Sequence, residues 1–125
     1  MNGVDISAKE EVARLGGKEV ILRFDHNQMR MAEEYWQQTT LRKLGYLAII
    51  DQLTARTYSA LGAIAYGAAA SAAMARNSTP ISMHDFDNQV SYTELKACAN
   101  MLSRCVIDSF PRGTEGSSGN AQSRT

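Results

Sequence analysis

The chain has 125 residues, is 44% hydrophobic, and sets 13 Lys+Arg against 13 Asp+Glu. That length suits one domain with a packed core. Zero net charge argues against nucleic acid or another polyanion as partner, because displacing counterions from phosphates takes a basic excess. The balance is also local: residues 1–56 hold eight bases and eight acids, and residues 57–125 hold five of each. Neither half is a basic arm or an acidic tail.

Residues 1–10 read as a flexible lead-in, without the basic start and apolar run of a secretion signal. Residues 11–110 read as a single helical domain that opens with a hairpin. Glu11–Leu15 and Lys18–Phe24 flank Gly16-Gly17, whose two glycines supply the positive φ angles of a tight two-residue turn. Val20, Leu22 and Phe24 alternate to one face of the second strand. Two strands alone are marginal, so the hairpin must lie on something else. Asp25 or Asn27 then caps a helix that starts at Gln28 and runs to Trp36, with Gln37-Gln38-Thr39-Thr40 as a possible interruption.

A long helix is expected over roughly 41–76. Its apolar series is Tyr46, Ile50, Leu53, Thr57, Leu61, Ile64 and Ala68. Asn77-Ser78-Thr79-Pro80 ends it. A turn or two of helix fits Ser82–Asp87. Ser91-Tyr92-Thr93-Glu94 is a capping box, opening a final helix with Leu95, Cys98, Ala99, Leu102, Cys105 and Val106 on one stripe. Pro111 stops that helix, and residues 111–125, small and polar, read as a disordered tail. The expected fold is mainly α with a small N-terminal β-hairpin (α+β): a compact bundle of about three to four helices, one of them long and rich in Ala and Gly.

Residues 57–75 carry no charge. A membrane span needs about 20 strongly apolar residues. Leu61, Ile64 and Met74 are the only large aliphatics here, so lipid is a poor fit. Ala63, Gly67 and Ser71, four apart, leave a flat strip along which another helix can approach closely. The strip serves either a central core helix or a face for a partner helix or a second copy, a homo-oligomer. About 30 helical residues would span ~45 Å, more than a domain this small covers. Part of that apolar length is therefore expected to seek a partner outside the monomer. Tyr58, Leu61, Ile64, Tyr66 and Ala68 are its candidate partner-binding residues. On that reading, Ile64→Asp or Ala68→Glu abolishes partner binding and leaves the monomer folded.

Catalytic and metal signals are weak. His26 and His84 lack ligand spacing. Ser82, His84 and Asp85 share one helical turn, but a triad is recognised by geometry and roles. Gly16-Gly17 leads into a strand, not into a phosphate-binding helix N-terminus. Cys98 and Cys105 would lie about 10 Å apart on one helix, too far to pair. Reduced, buried thiols in a cytoplasmic protein are the simplest reading. No enzyme, no cofactor and no metal site is expected.

The stretch from Leu15 to Glu34, LGGKEVILRFDHNQMRMAEE, resembles the start of the tail assembly chaperones of long-tailed bacteriophages and related elements. That family commonly opens with a Gly-Lys hairpin, a strand ending Arg-Phe, an Asn-led helix start and a Glu-Glu pair. Thr79–Phe86, TPISMHDF, is similar to its proline-led, acidic short helix. The likeness covers roughly residues 11–110, and the long Ala/Gly-rich helix departs from it. The resemblance implies a small helical chaperone, absent from the mature virion and acting in the host cytoplasm. It would keep the long tape measure protein soluble and help recruit tail tube protein subunits. The alternatives are an oligomeric structural subunit of a tail or connector, and a small membrane-associated phage protein using residues 57–75.

Overall fold

The computed structural model describes residues 8–110, and the expected tail over 111–125 lies outside that range. Two antiparallel strands, β1 (Lys9–Leu15) and β2 (Lys18–Phe24), pair in register from Lys9 opposite Phe24 to Leu15 opposite Lys18. The first strand thus begins inside the stretch read as a lead-in. Gly16 and Gly17 turn the chain with φ of 66° and 77°, angles that strain any residue with a Cβ. Alternation sends Ala13, Leu15, Leu22 and Phe24 into the core and leaves Val12 and Ile21 outside.

Helix α1 spans His26–Thr40. Asp25 is its cap: the carboxylate accepts the Gln28 amide N–H at 3.0 Å. The helix runs without interruption through the polar Gln37–Thr40 segment. There the Thr39 and Thr40 hydroxyls donate back to the carbonyls of Tyr35 and Trp36, at 2.8 and 2.7 Å. Leu41 ends it in the left-handed region, φ 61°.

The long helix over 41–76 does not form. Helix α2 (Tyr46–Asp51) passes into a 3-10 turn (Gln52–Ala55), and Arg56 at φ 52° breaks the chain before α3 (Tyr58–Ala75). The Thr57 hydroxyl then caps α3, accepting the Ala60 N–H at 3.3 Å. Threonine competes for backbone donors in this way, so a residue that also fits a helical spacing starts a new helix instead. The series from Tyr46 to Ala68 is therefore split between separate elements. At 18 residues α3 is only about 27 Å long and leaves no overhang.

Helix α3 is the centre of the fold. Twelve of its residues are buried, as expected for a helix that is apolar all round. Its neighbour α1 runs antiparallel along it. A Cβ on Gly67 would stand 2.4 Å from the Gln28 carbonyl oxygen and 2.9 Å from the Ala32 amide nitrogen, so the two backbones touch. Four residues on, the Ser71 hydroxyl donates to Asp25 at 2.6 Å. The small-residue strip is used as anticipated, but its partner is inside the monomer. Gln28 is fully buried at this crossing. Its amide donates to the Ile64 carbonyl at 3.4 Å and accepts the Tyr46 hydroxyl at 2.9 Å, tying α1, α2 and α3 together.

Three helices complete the domain, making six α-helices among the described residues instead of three or four. They are α4 (Met83–Gln89), α5 (Tyr92–Ala97) and α6 (Ala99–Ser109). The last two replace the single final helix. The chain bends at Cys98 but keeps the Leu102 N–H to Cys98 carbonyl bond at 2.9 Å. Leu95, Ala99, Leu102, Cys105 and Val106 thereby all still face the core.

The capping box forms as read: Ser91 and Glu94 satisfy each other's backbone N–H groups. Glu94 does more, since its second oxygen accepts the Gly17 N–H at 2.9 Å and pins α5 to the hairpin turn. These donors, led by Ser91 and then Gly17, hold its pKa down at about 2. A carboxyl depressed in the folded state stabilises above its unfolded pKa and loses that contribution as pH falls. Glu94→Gln should therefore lower Tm at pH 7, with the gap to the parent closing between pH 4.5 and 2. Thermal melts across that range check it, and a gap independent of pH contradicts it.

Candidate functional site

The five candidate partner-binding residues are mostly core. Leu61, Ile64 and Ala68 have no exposed surface, Tyr66 is buried, and Tyr58 is half-buried. The Tyr66 ring stacks on Tyr35 at 5.2 Å and meets Phe86 edge-on at 5.5 Å. Asp87 accepts the Tyr35 hydroxyl, and Tyr58 donates to the same oxygen at 3.4 Å. Burial, reinforced by that carboxylate, pushes the Tyr35 phenol far above its ordinary range. These aromatics clamp α4 onto α1 and α3. The uncharged stretch needs no outside partner, because β2, α1, α5 and α6 cover it.

The apolar surface that remains lies elsewhere. Between α2 with its 3-10 turn and α6 runs an open groove of about 340 Å³, with Leu53 and Val106 in its floor and Ile50 and Ile107 at its lips. Ile107 is 63% exposed, and Leu47, one turn before Ile50, is 67% exposed. Arg56 fixes one end of the groove. Its guanidinium donates to Asn100 at 2.7 Å, and its carbonyl accepts the Tyr92 hydroxyl at 2.6 Å. The left-handed turn that broke the expected long helix therefore also braces α2 against α5 and α6.

Two other hollows differ from the groove, one in being smaller and the other in being charged. A recess of about 180 Å³ lies between the hairpin and α4, lined by Leu15, Val20, Ala69, Ile81, Phe86 and Val90. The other, about 380 Å³, is walled by Arg30, Glu33, Glu34 and Lys43, two charges of each sign.

Compared with protein-family models, curated proteins and solved structures, the chain matches none. The site must be read from its own chemistry. Among the described residues no group of three His, Cys, Asp or Glu side chains could hold a metal ion. The Ser82 hydroxyl accepts the Asp85 N–H as a helix cap, and the His84 ring pairs with Asn88 at 3.0 Å. Both cysteines are free. Burial pushes the Cys98 thiol up to about 11 and raises Cys105 too, so neither is an activated nucleophile. Among the described residues no helix is long and apolar enough to cross a membrane.

Leu47, Ile50 and Ile107 were not singled out as surface residues in the sequence, though a signal was present. Tyr46-Leu47-Ala48-Ile49-Ile50 is apolar on every side of a six-residue helix, and a helix packed on one face cannot bury all of it. Ile107 likewise follows Val106 just off the buried stripe.

Proposed function

We propose that this protein is a non-catalytic assembly chaperone that holds an apolar helical segment of a client in the groove between α2 and α6. The observation that carries the reading is that groove, with Ile107 exposed at its lip and Leu47 exposed one turn before Ile50. A helix laid along it would insert side chains at i, i+3 and i+4 spacing over Leu53 and Val106. The resemblance of Leu15–Glu34 and Thr79–Phe86 to tail assembly chaperones names the client class: a long, helix-rich tape measure protein, with tail tube protein as second partner. The small, mainly helical fold with its N-terminal hairpin supports the same reading.

Co-expression with the tape measure protein tests it. The parent chain should keep that client in the soluble fraction. Leu47→Asp and Ile107→Asp should each weaken binding about tenfold or more, since burying one such side chain is worth roughly 1.5–3 kcal/mol. Their melting curves should stay close to the parent's, because both side chains are already in water. Full client solubility with both variants rejects the groove. Recovery of the protein in purified particles at fixed copy number would instead support a structural tail subunit.

A further inference from the structure

The hairpin keeps one face in the core, while the other is open to water around Val12, Arg14, Glu19 and Ile21 and half-covered at Glu10 and Arg23. On the outer face the register sets Glu10 opposite Arg23, Val12 opposite Ile21, and Arg14 opposite Glu19. Val12 is 55% exposed, Ile21 is 39% exposed, and Arg14 and Glu19 are both exposed. An apolar pair thus sits between two acid–base pairs. Because the strands are antiparallel, the two acids lie on one diagonal and the two bases on the other.

This arrangement is complementary to itself. A second copy laid face down, about a two-fold axis along the strands, puts each Val12 over an Ile21. Each Arg14 then meets a Glu19, and each Glu10 meets an Arg23. A partner surface of single sign would meet as many like charges as unlike ones. A second copy meets none that are like, and a chain of zero net charge approaches its twin without long-range repulsion. We infer that the outer face of the hairpin is a self-association surface, joining two copies sheet on sheet about a two-fold axis.

Glu10 and Arg23 are already engaged within the monomer. Glu10 binds Arg76 at 2.8 Å and Arg23 at 2.9 Å, and Arg23 reaches Asp25 at 3.0 Å. They form a fixed charged edge; at the turn end the Arg14 guanidinium donates to the Gly17 carbonyl at 3.0 Å and Glu19 is exposed, so these two are the residues to exchange. The face is two seven-residue strands wide, about 23 Å by 10 Å. At roughly 230 Å² per copy it is well below the ~800 Å² per partner of a standard interface, so the dimer is weak.

Sedimentation of the full chain up to about 1 mM tests this with Arg14→Glu and Glu19→Arg. Each variant alone places like charges opposite each other and should weaken the dimer roughly tenfold. An equimolar mixture of the two should recover association, because every Glu at positions 14 and 19 of one copy then faces an Arg of the other. Monomer stability cannot produce that recovery, since each monomer still carries its own substitution. The inference is overturned by a parent chain that stays monomeric, by a dimer insensitive to both variants, or by a mixture no tighter than either variant alone. The client-binding groove is untouched by these changes, so loss of self-association leaves that reading to its own test.

Discussion

Gly67→Ala should destabilise the fold by about 3 kcal/mol, seen as a fall in Tm of roughly 10 °C and a matching shift in the urea midpoint. Two effects oppose each other. Alanine is a better helix former than glycine by about 1 kcal/mol, which favours the substitution. Against it, the new methyl would lie 2.4 Å from the Gln28 carbonyl oxygen and 2.9 Å from the Ala32 nitrogen. Those are backbone atoms of α1, so no rotamer change relieves the clash and the helices must separate by about 1 Å to reach ordinary contact. Separation would loosen the bonds from Gln28 to Ile64 and from Ser71 to Asp25, which cross the same seam. Gly45→Ala is the control. A Cβ there meets nothing within 4 Å, and its φ of −71° suits any residue, so its melt should be close to the parent's. A stable Gly67→Ala protein would mean that the two helices do not cross this closely.

Ile64→Asp should abolish cooperative folding. Ile64 has no exposed surface. The substitution loses roughly 2–5 kcal/mol of packing and must also bury a carboxyl group without a designed partner. Together these approach the whole stability of a domain of this size, about 5–15 kcal/mol. The measurement is a urea or thermal transition followed by near-UV circular dichroism, where the packed Tyr35, Tyr66 and Phe86 rings report on the core. A cooperative transition near the parent's would place Ile64 at the surface. The contrast with Leu47→Asp is the useful one, since the same new charge enters an exposed site there and should spare the fold. The two variants separate loss of client binding through the groove from loss through unfolding.

Acid should weaken the edge where β1, β2 and α1 meet. Burial alone would raise the Asp25 carboxyl, but hydrogen bonds from Ser71, the Gln28 N–H and Arg23 outweigh it and hold its pKa below the usual range. The hydrogen bond from Arg76, ahead of that from Arg23, does the same for Glu10. Both groups contribute fully above their unfolded values near 3.8 and 4.5, and that contribution is lost as pH falls through their lower folded values. Asp25→Asn should therefore flatten the acid limb of the stability curve, as measured by urea melts from pH 6 to pH 3. An unchanged slope rules out this linkage.

Local chemistry was legible in the chain. Gly16-Gly17 dictated the turn, since only glycine takes two successive positive φ angles without strain. Ser91 proved to be the cap its side chain suggested, and Asp25 the cap of the two candidates Asp25 and Asn27, because a capping oxygen needs only the next three residues to work. The strip Ala63-Gly67-Ser71 correctly announced a close helix approach. Three things were misread for one reason. At the break of Arg56–Thr57, at the bend of Cys98 and at exposed Leu47 and Ile107, periodicity was followed where something else decides: the Thr57 cap in the first case, and what packs against the segment in the others.

The sequence by itself determined the element types, the turn, the caps and the existence of one uncharged helix. The tertiary structure decided that this helix faces inward. An 18-residue helix lined with Ala and Gly can be approached so closely that β2, α1, α5 and α6 enclose it. A stretch whose lack of charge suggested a partner surface is consequently the core. Apolar side chains stay exposed where an element carries more of them than its one buried face can hold, as with Leu47 on α2, Ile107 on α6 and the Val12–Ile21 pair on the hairpin.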